Sequence, residues 1–221
     1  MNNTLETFGE YPPILYRCFK SKEDAINFIE EGKLRFGNLN YYKNIEDQIR
    51  QDNTEGEGSL KVPGMVTKVA VDKNGNIKNI YEEKGHIHLK TSSGNAIYIM
   101  SCLYPPNNDI SKIPSKFGNH IVKINNPIQF GQEITRNLTD NATNKGLVVE
   151  CVRVEYNKSE TSPSELDKTS QWKLSYSQKP PNFKNEYEYR LVIIGSNLAS
   201  TDDQFLYIDL EKQITYAELL A

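Results

Sequence analysis

Apolar and polar positions change rhythm several times along the chain, and each change predicts an element. Ile14-Leu15-Tyr16-Arg17-Cys18-Phe19 is rich in β-formers and runs into Ser21-Lys22-Glu23-Asp24, where a serine followed three residues later by an acid marks a capped helix start. Ala25, Ile26, Phe28 and Ile29 fall on one helical stripe and Gly32 supplies the stop, so a strand feeds a helix of about two to three turns. Leu34, Phe36 and Leu39 restart an extended pattern. The polar stretch Asn44 to Glu57 that follows reads as a helix or ordered loop rich in acids. Lys61 to Lys90 alternates around Asp72-Lys73-Asn74-Gly75-Asn76, and its Asn-Gly step predicts a tight antiparallel hairpin or meander. AIYIMSCLY, Ala96 to Tyr104, is a continuous apolar run, as expected of a central strand buried on both faces, and Pro105-Pro106 ends it.

His120 to Ile124 predicts a further short strand, and Asn125-Asn126-Pro127 introduces a helix from about Ile128 to Leu138. Gly146 to Tyr156 reads as a strand, Lys158 to Ser170 as a loop and short helix, Glu186 to Ile194 as a strand, and Phe205 to Ile208 as the last strand. Many strands, few helices and no regular βαβ rhythm predict an α+β fold: a single domain over residues 1–221 with a mixed, largely antiparallel β core and a few short helices.

Composition narrows the function classes. With 37% hydrophobic and 25% charged residues the chain is globular but polar. A net charge of -3 argues against binding nucleic acid mainly through a basic surface, but not against nucleic acid held by a local patch. Cys18, Cys102 and Cys151 are far apart, each in an apolar or strand-like run, which suits buried reduced thiols. No Cys-x-x-Cys pair accompanies His86 and His88, so no metal site is expected. Met1 to Tyr11 lacks an export pattern, and no run approaches the ~18 apolar residues of a membrane span, so a cytoplasmic protein is expected. Neither a Rossmann glycine fingerprint nor a P-loop is present.

Three segments carry candidate chemistry. On a strand over Glu186 to Ile194, a period of two places Glu186, Glu188 and Arg190 on one face. Such a face is either a solvated surface with an intrastrand ion pair or two carboxylates and a guanidinium gathered at a site. Arg17, in an apolar strand, needs water or a partner; it could hold a pyrophosphate or carboxylate, or form an ion pair at the sheet edge. Ser101 is the hydroxyl within IYIMSCLY, and bonding to neighbouring backbone is the commoner fate of such a group. The acids of Asn44 to Glu57 read as a solvated face rather than a calcium loop, and His86, His88 and His120 as structural.

In chain order, Tyr16-Arg17 on a first strand, a helix ending at Gly32, Ser101 on a central strand and Glu186-x-Glu188 on a late strand resemble the bacterial ADP-ribosyltransferases of the arginine, serine, glutamate type. LYRCF, KLRFGNLNYYKNIEDQIRQD and KNEYEYRLVI also resemble segments of bacterial and phage-defence proteins with ADP-ribosyltransferase-like folds. The resemblance implies split sheets and NAD as a consumed substrate. It implies Arg17, beside Tyr16, at the phosphates or nicotinamide ribose, Ser101 ordering the nicotinamide side, Glu188 as the catalytic glutamate and Glu186 placing or deprotonating the acceptor. Tyr41 or Tyr42 would stack on nicotinamide or pack in the core. Met100-Ser101-Cys102 keeps one hydroxyl of the family's usual Ser-Thr-Ser. The implied activity is mono-ADP-ribosylation of a protein or nucleic acid, RNA included, by a toxin-like or antiphage effector restrained by an antitoxin or chaperone. Two rivals stand beside it: a noncatalytic protein-binding module on the same fold, and a metal-dependent nuclease or hydrolase using the Asn44 to Glu57 acids.

Overall fold

A computed structural model describes residues 8–9, 11–39, 42, 57–71, 77–92, 97–140, 147–156, 173–194 and 204–220. Its strands are β1 (Phe8–Gly9), β2 (Leu15–Phe19), β3 (Lys33–Asn38), β4 (Glu57–Val71), β5 (Ile77–Ser92), β6 (Ile97–Leu103), β7 (His120–Ile124), β8 (Val148–Arg153), β9 (Glu188–Ile194), β10 (Phe205–Asp209) and β11 (Ala217–Leu220). The helices are α1 (Lys22–Glu30), α2 (Pro127–Asp140) and the single turn α3 (Leu174–Ser177). The fold is mixed α+β with mostly antiparallel strands, as the pattern of apolar positions predicts.

Among the described residues nine strands form one sheet, whose path runs β1-β8-β9-β6-β2-β7-β11, with β3 pairing both β6 and β10. Among the strands of the described residues, only β1 runs parallel to its neighbour, β8. The apolar run of β6 is explained by its place. Tyr98, Met100 and Cys102 enter the larger core with Phe28, Phe130, Ile134 and Leu191, while Ile97 and Ile99 enter a smaller one with Leu39, Tyr176 and Val192. Both faces of the strand are therefore covered.

Along the edge of β6 away from β9 the sheet divides. Asn38 and Gly37 of β3 pair with Tyr98 and Ile99, whereas Tyr16 of β2 pairs with Leu103. Met100, Ser101 and Cys102 lie between these two pairings, so a cleft opens where β2 and β3 diverge. The connection is α1, started by the Ser21 hydroxyl, which accepts from the Asp24 N–H at 3.0 Å, and fixed to the larger core by Ala25 and Phe28. Phe28 meets Phe19 and Phe130 with ring centroids 5.3 Å and 5.7 Å apart. Gly32 then turns the chain into β3 at φ 68°, a left-handed conformation that favours glycine.

β4 and β5 form the expected antiparallel hairpin as a separate two-stranded sheet. The Asp72 to Asn76 turn, Asn44 to Gly56 and Lys158 to Ser170 lie outside the described residues. Two expectations change. Phe205 to Asp209 is not the last strand: Ala217–Leu220 adds another, covering the edge of β7. Strand β9 also begins at Glu188 rather than Glu186, because Tyr187 is left-handed (φ 51°, ψ 41°) and Glu186 ends a 3₁₀ segment over Pro181–Glu186.

The Gly32 corner gives a stability test. An alanine there would hold an unfavourable φ, and its Cβ would lie 2.6 Å from the Lys212 carbonyl oxygen and 2.8 Å from Leu210 Cβ. Gly32→Ala should lower the unfolding free energy by about 1–2 kcal/mol from the backbone conformation alone, and by more once the clash is included. Urea unfolding at unchanged m-value is the measurement.

Candidate active site

The register of β6 against β9 places Ser101 opposite Arg190 and Leu103 opposite Glu188. Ser101 and Glu188 are therefore diagonal neighbours, a separation that side chains can span. The Ser101 hydroxyl donates to Glu188 Oε1 at 2.6 Å, and Arg190 Nε donates to the same oxygen at 2.9 Å. Lys179 Nζ lies 2.7 Å from Glu188 Oε2, and Arg190 Nη2 is 3.5 Å from it. The Glu188 backbone N–H donates to the Tyr156 hydroxyl at 2.8 Å. Glu188 and Arg190 do form an intrastrand ion pair, yet they are only 3% and 1% exposed, so the solvated-surface alternative does not hold.

Burial by itself would push the Glu188 carboxyl up. The charges of Arg190 and Lys179, with their hydrogen bonds, outweigh that effect and hold it well below the usual carboxylate range. The group is an anion at neutral pH, enclosed by cations.

Lys179 also holds Glu186, with Nζ 2.8 Å from Oε2, while Lys116 Nζ lies 2.5 Å from Oε1. Glu186 and Glu188 thus converge on Lys179 even though they do not share a regular strand. The Phe183 ring lies beneath both lysines, 5.3 Å from Lys179 Nζ and 5.7 Å from Lys116 Nζ.

Arg17 approaches from β2. Its Nη1 donates to the Ser101 carbonyl, at the stretch of β6 left between β2 and β3. The guanidinium thereby meets a backbone acceptor at the division of the sheet. Its Nε is buried with no hydrogen-bond partner among the described residues, so it calls for an acceptor that these residues do not supply. The cleft holds about 680 Å³, and Arg17, Lys20, Lys33, Arg35, Tyr42, Ser101, Lys179, Glu186, Glu188 and Arg190 are among the residues that line it.

Of the residues the sequence singles out, Arg17, Ser101, Glu186, Glu188 and Tyr42 meet at this cleft. Tyr42 is half-buried, and Gly37 makes room for it: a Cβ on Gly37 would stand 2.5–2.6 Å from the Tyr42 ring and hydroxyl. Tyr16 is not brought there; it is buried between Leu103 and Lys123 on the neighbouring strands and packs the sheet. Tyr41 lies outside the described residues. Cys18 lines the cleft, but burial raises its thiol to about 11, which disfavours a nucleophilic thiolate. The nuclease alternative depends on Asn44 to Glu57, of which all but Glu57 lies outside the described residues.

Sequence reasoning missed Lys179 and Lys116. One signal points to the first. Two carboxylates and one guanidinium beside a buried apolar strand leave a negative charge to compensate, and Lys179 precedes Pro180-Pro181, which favours an extended residue with a fixed direction.

The sign of the Glu188 shift sets a pH dependence. A carboxyl depressed in the folded state stabilises fully above its unfolded value, near 4.5, and loses that contribution as pH falls below it. Glu188→Gln should cost about 3–5 kcal/mol near pH 7, because it leaves buried cations under-compensated. The gap from wild type should narrow by up to about 1.4 kcal/mol per pH unit below 4.5. Urea unfolding from pH 7 to pH 3 measures both effects, and a constant gap would show that Glu188 is not the depressed group.

No protein-family model, curated protein or solved structure matches this chain, so function is read from side-chain geometry.

Proposed function

We propose that the cleft binds NAD and that the protein is a mono-ADP-ribosyltransferase with Glu188 as its catalytic carboxylate. The observation that carries this reading is the meeting of Arg17, Ser101 and Glu188. These residues come from three distant parts of the chain, in the order the resemblance implies, and are joined through Ser101 by hydrogen bonds.

The chemistry fits the residues. In transfer, the bond between the nicotinamide nitrogen and the ribose C1′ breaks, nicotinamide leaves with the electron pair, and C1′ gains positive character until an acceptor lone pair attacks and releases a proton. A fixed anion facing C1′ stabilises that charge as it develops. Glu188 is such an anion, set by Ser101 and Arg190 on two rigid strands. Arg17, a guanidinium in the lining of the cleft, suits a phosphate or the nicotinamide carboxamide. A cleft of about 680 Å³ lies in the range of small-molecule sites. Glu186 stands beside Glu188 through Lys179, where a carboxylate could orient an acceptor.

A toxin-like or antiphage role follows from the same reading. Unrestrained NAD consumption harms its host, so an antitoxin or chaperone would hold the enzyme in check. No described helix is long and apolar enough to cross a membrane.

One observation favours the noncatalytic module instead. Both Glu188 oxygens are already engaged by Ser101, Arg190 and Lys179, as in a purely structural ion network. Catalysis therefore requires Lys179 to give way to the substrate ribose.

Purified full-length protein, incubated with labelled NAD and separate protein, RNA and DNA fractions, should release nicotinamide and label one fraction. Glu188→Gln should reduce turnover by at least about 100-fold and Ser101→Ala by about 10-fold or more, both read on protein shown folded by circular dichroism. Activity should survive chelation of divalent metals, whereas a metal-dependent hydrolase would lose it. Well-folded wild type that turns over no NAD with any fraction would overturn the proposal in favour of the binding module.

A further inference from the structure

The ribbon of β3 and β10 has two unlike faces. Leu34, Phe36, Leu206 and Ile208 turn into the larger core. By the period of two, Phe205 and Tyr207 lie on the other face, beside Gly37 and Arg35, their register partners on β3. An edge ribbon usually carries polar side chains outward. Here Phe205 and Tyr207 line the cleft, and Tyr207 is 70% exposed.

Their rings are 6.2 Å apart between centroids, and the Arg35 guanidinium carbon stands 4.9 Å over the Phe205 ring. Arg35 and Lys20, both exposed, have no acidic partner among the described residues. Lys33 is paired with Glu31, and Asp24 adds one carboxylate to the lining. The carboxylates of Glu186 and Glu188 are matched by Lys179, Lys116 and Arg190. The mouth of the cleft is therefore locally cationic within a chain of net charge -3.

We infer that Phe205, Tyr207 and Arg35 form a platform for single-stranded nucleic acid, which is the acceptor class of the cleft. Two neighbouring aromatic rings, tilted 56° to each other, with a cation over one of them match what an unpaired strand presents, namely bases that stack on rings and phosphates that follow positive charge. A folded protein acceptor offers few flat groups for so exposed a ring. The small number of cations also fits a strand held locally rather than a duplex captured by a basic surface. The role of acceptor rests on the transferase reading, whereas binding to the platform does not.

The test is anisotropy of fluorescein-labelled single-stranded RNA and DNA oligonucleotides with full-length protein and no NAD. Tyr207→Ala should weaken binding by about 5- to 100-fold, while Tyr207→Phe, which keeps the ring, should stay within about 2-fold. Arg35→Gln should reduce the slope of log K against log salt by about 0.7. Tyr207 is largely exposed, so unchanged thermal melting would confirm that its variants fold.

The inference would be overturned by no oligonucleotide binding, by binding indifferent to Tyr207→Ala, or, in the labelled-NAD incubation, by transfer of label to the protein fraction alone. If Tyr207→Ala weakened NAD binding but not oligonucleotide binding, the platform would belong to the adenine of NAD, which also overturns it. NAD turnover without strand binding would remove this inference only. Ring-dependent strand binding without NAD turnover would remove the transferase chemistry and leave the nucleic-acid surface standing.

Discussion

A buried carboxylate must be matched by charge and hydrogen bonds or it destabilises the fold that encloses it. Glu188 is matched from three directions: Arg190 two residues along its own strand, Ser101 on the adjacent strand, and Lys179 from the segment that follows α3. Lys179 is shared with Glu186, whose other oxygen meets Lys116. One cluster thus ties the sheet to the chain that closes over it. Loss of any member would leave a charge or donor uncompensated among largely buried partners.

The division of the sheet gives this cluster an open side. Were β2 to pair along the whole edge of β6, the stretch around Ser101 would be covered by backbone and no cleft would exist. Instead β3 takes one end of β6 and β2 the other. Arg17 answers the carbonyl left between them. Its position is explained structurally by that backbone acceptor, which leaves its buried Nε unmet. A guanidinium carries several donors in a fixed fork, so one bond to backbone does not exhaust it.

Elements governed by local rules were legible in the sequence. Ser21 with Asp24 and the stop at Gly32 located α1, the continuous apolar run located β6, and the alternation on either side of Asn74-Gly75 located the hairpin strands. What depends on partners distant in sequence was not. Nothing near Ala217 to Leu220 announces a strand, because the unpaired edge of β7 supplies its hydrogen bonds. Glu186 reads as a strand residue by period two, and the left-handed Tyr187, whose carbonyl accepts from the Tyr104 N–H at 2.9 Å, breaks that period. Arg17, Ser101 and Glu188 stand out one by one from their residue patterns, and only the resemblance groups them. Their contact depends on the β6–β9 register and on the division of the sheet, neither of which a single chain prints.

The partners of Glu188 are not equivalent, and the difference bears on chemistry. Arg190 and Ser101 sit on paired strands, so their positions are fixed by the sheet ladder. Lys179 sits on a segment joined to the sheet region by fewer backbone bonds, among them its own N–H to the Glu155 carbonyl at 2.9 Å. Its ammonium can also turn toward Glu186, which it already contacts. A substrate hydroxyl arriving at Glu188 Oε2 would thus displace the one partner with another carboxylate at hand, while Ser101 and Arg190 keep Oε1 in place. The anion would then face the substrate with its geometry unchanged and part of its compensating charge moved aside, the condition under which a carboxylate best stabilises a developing cation.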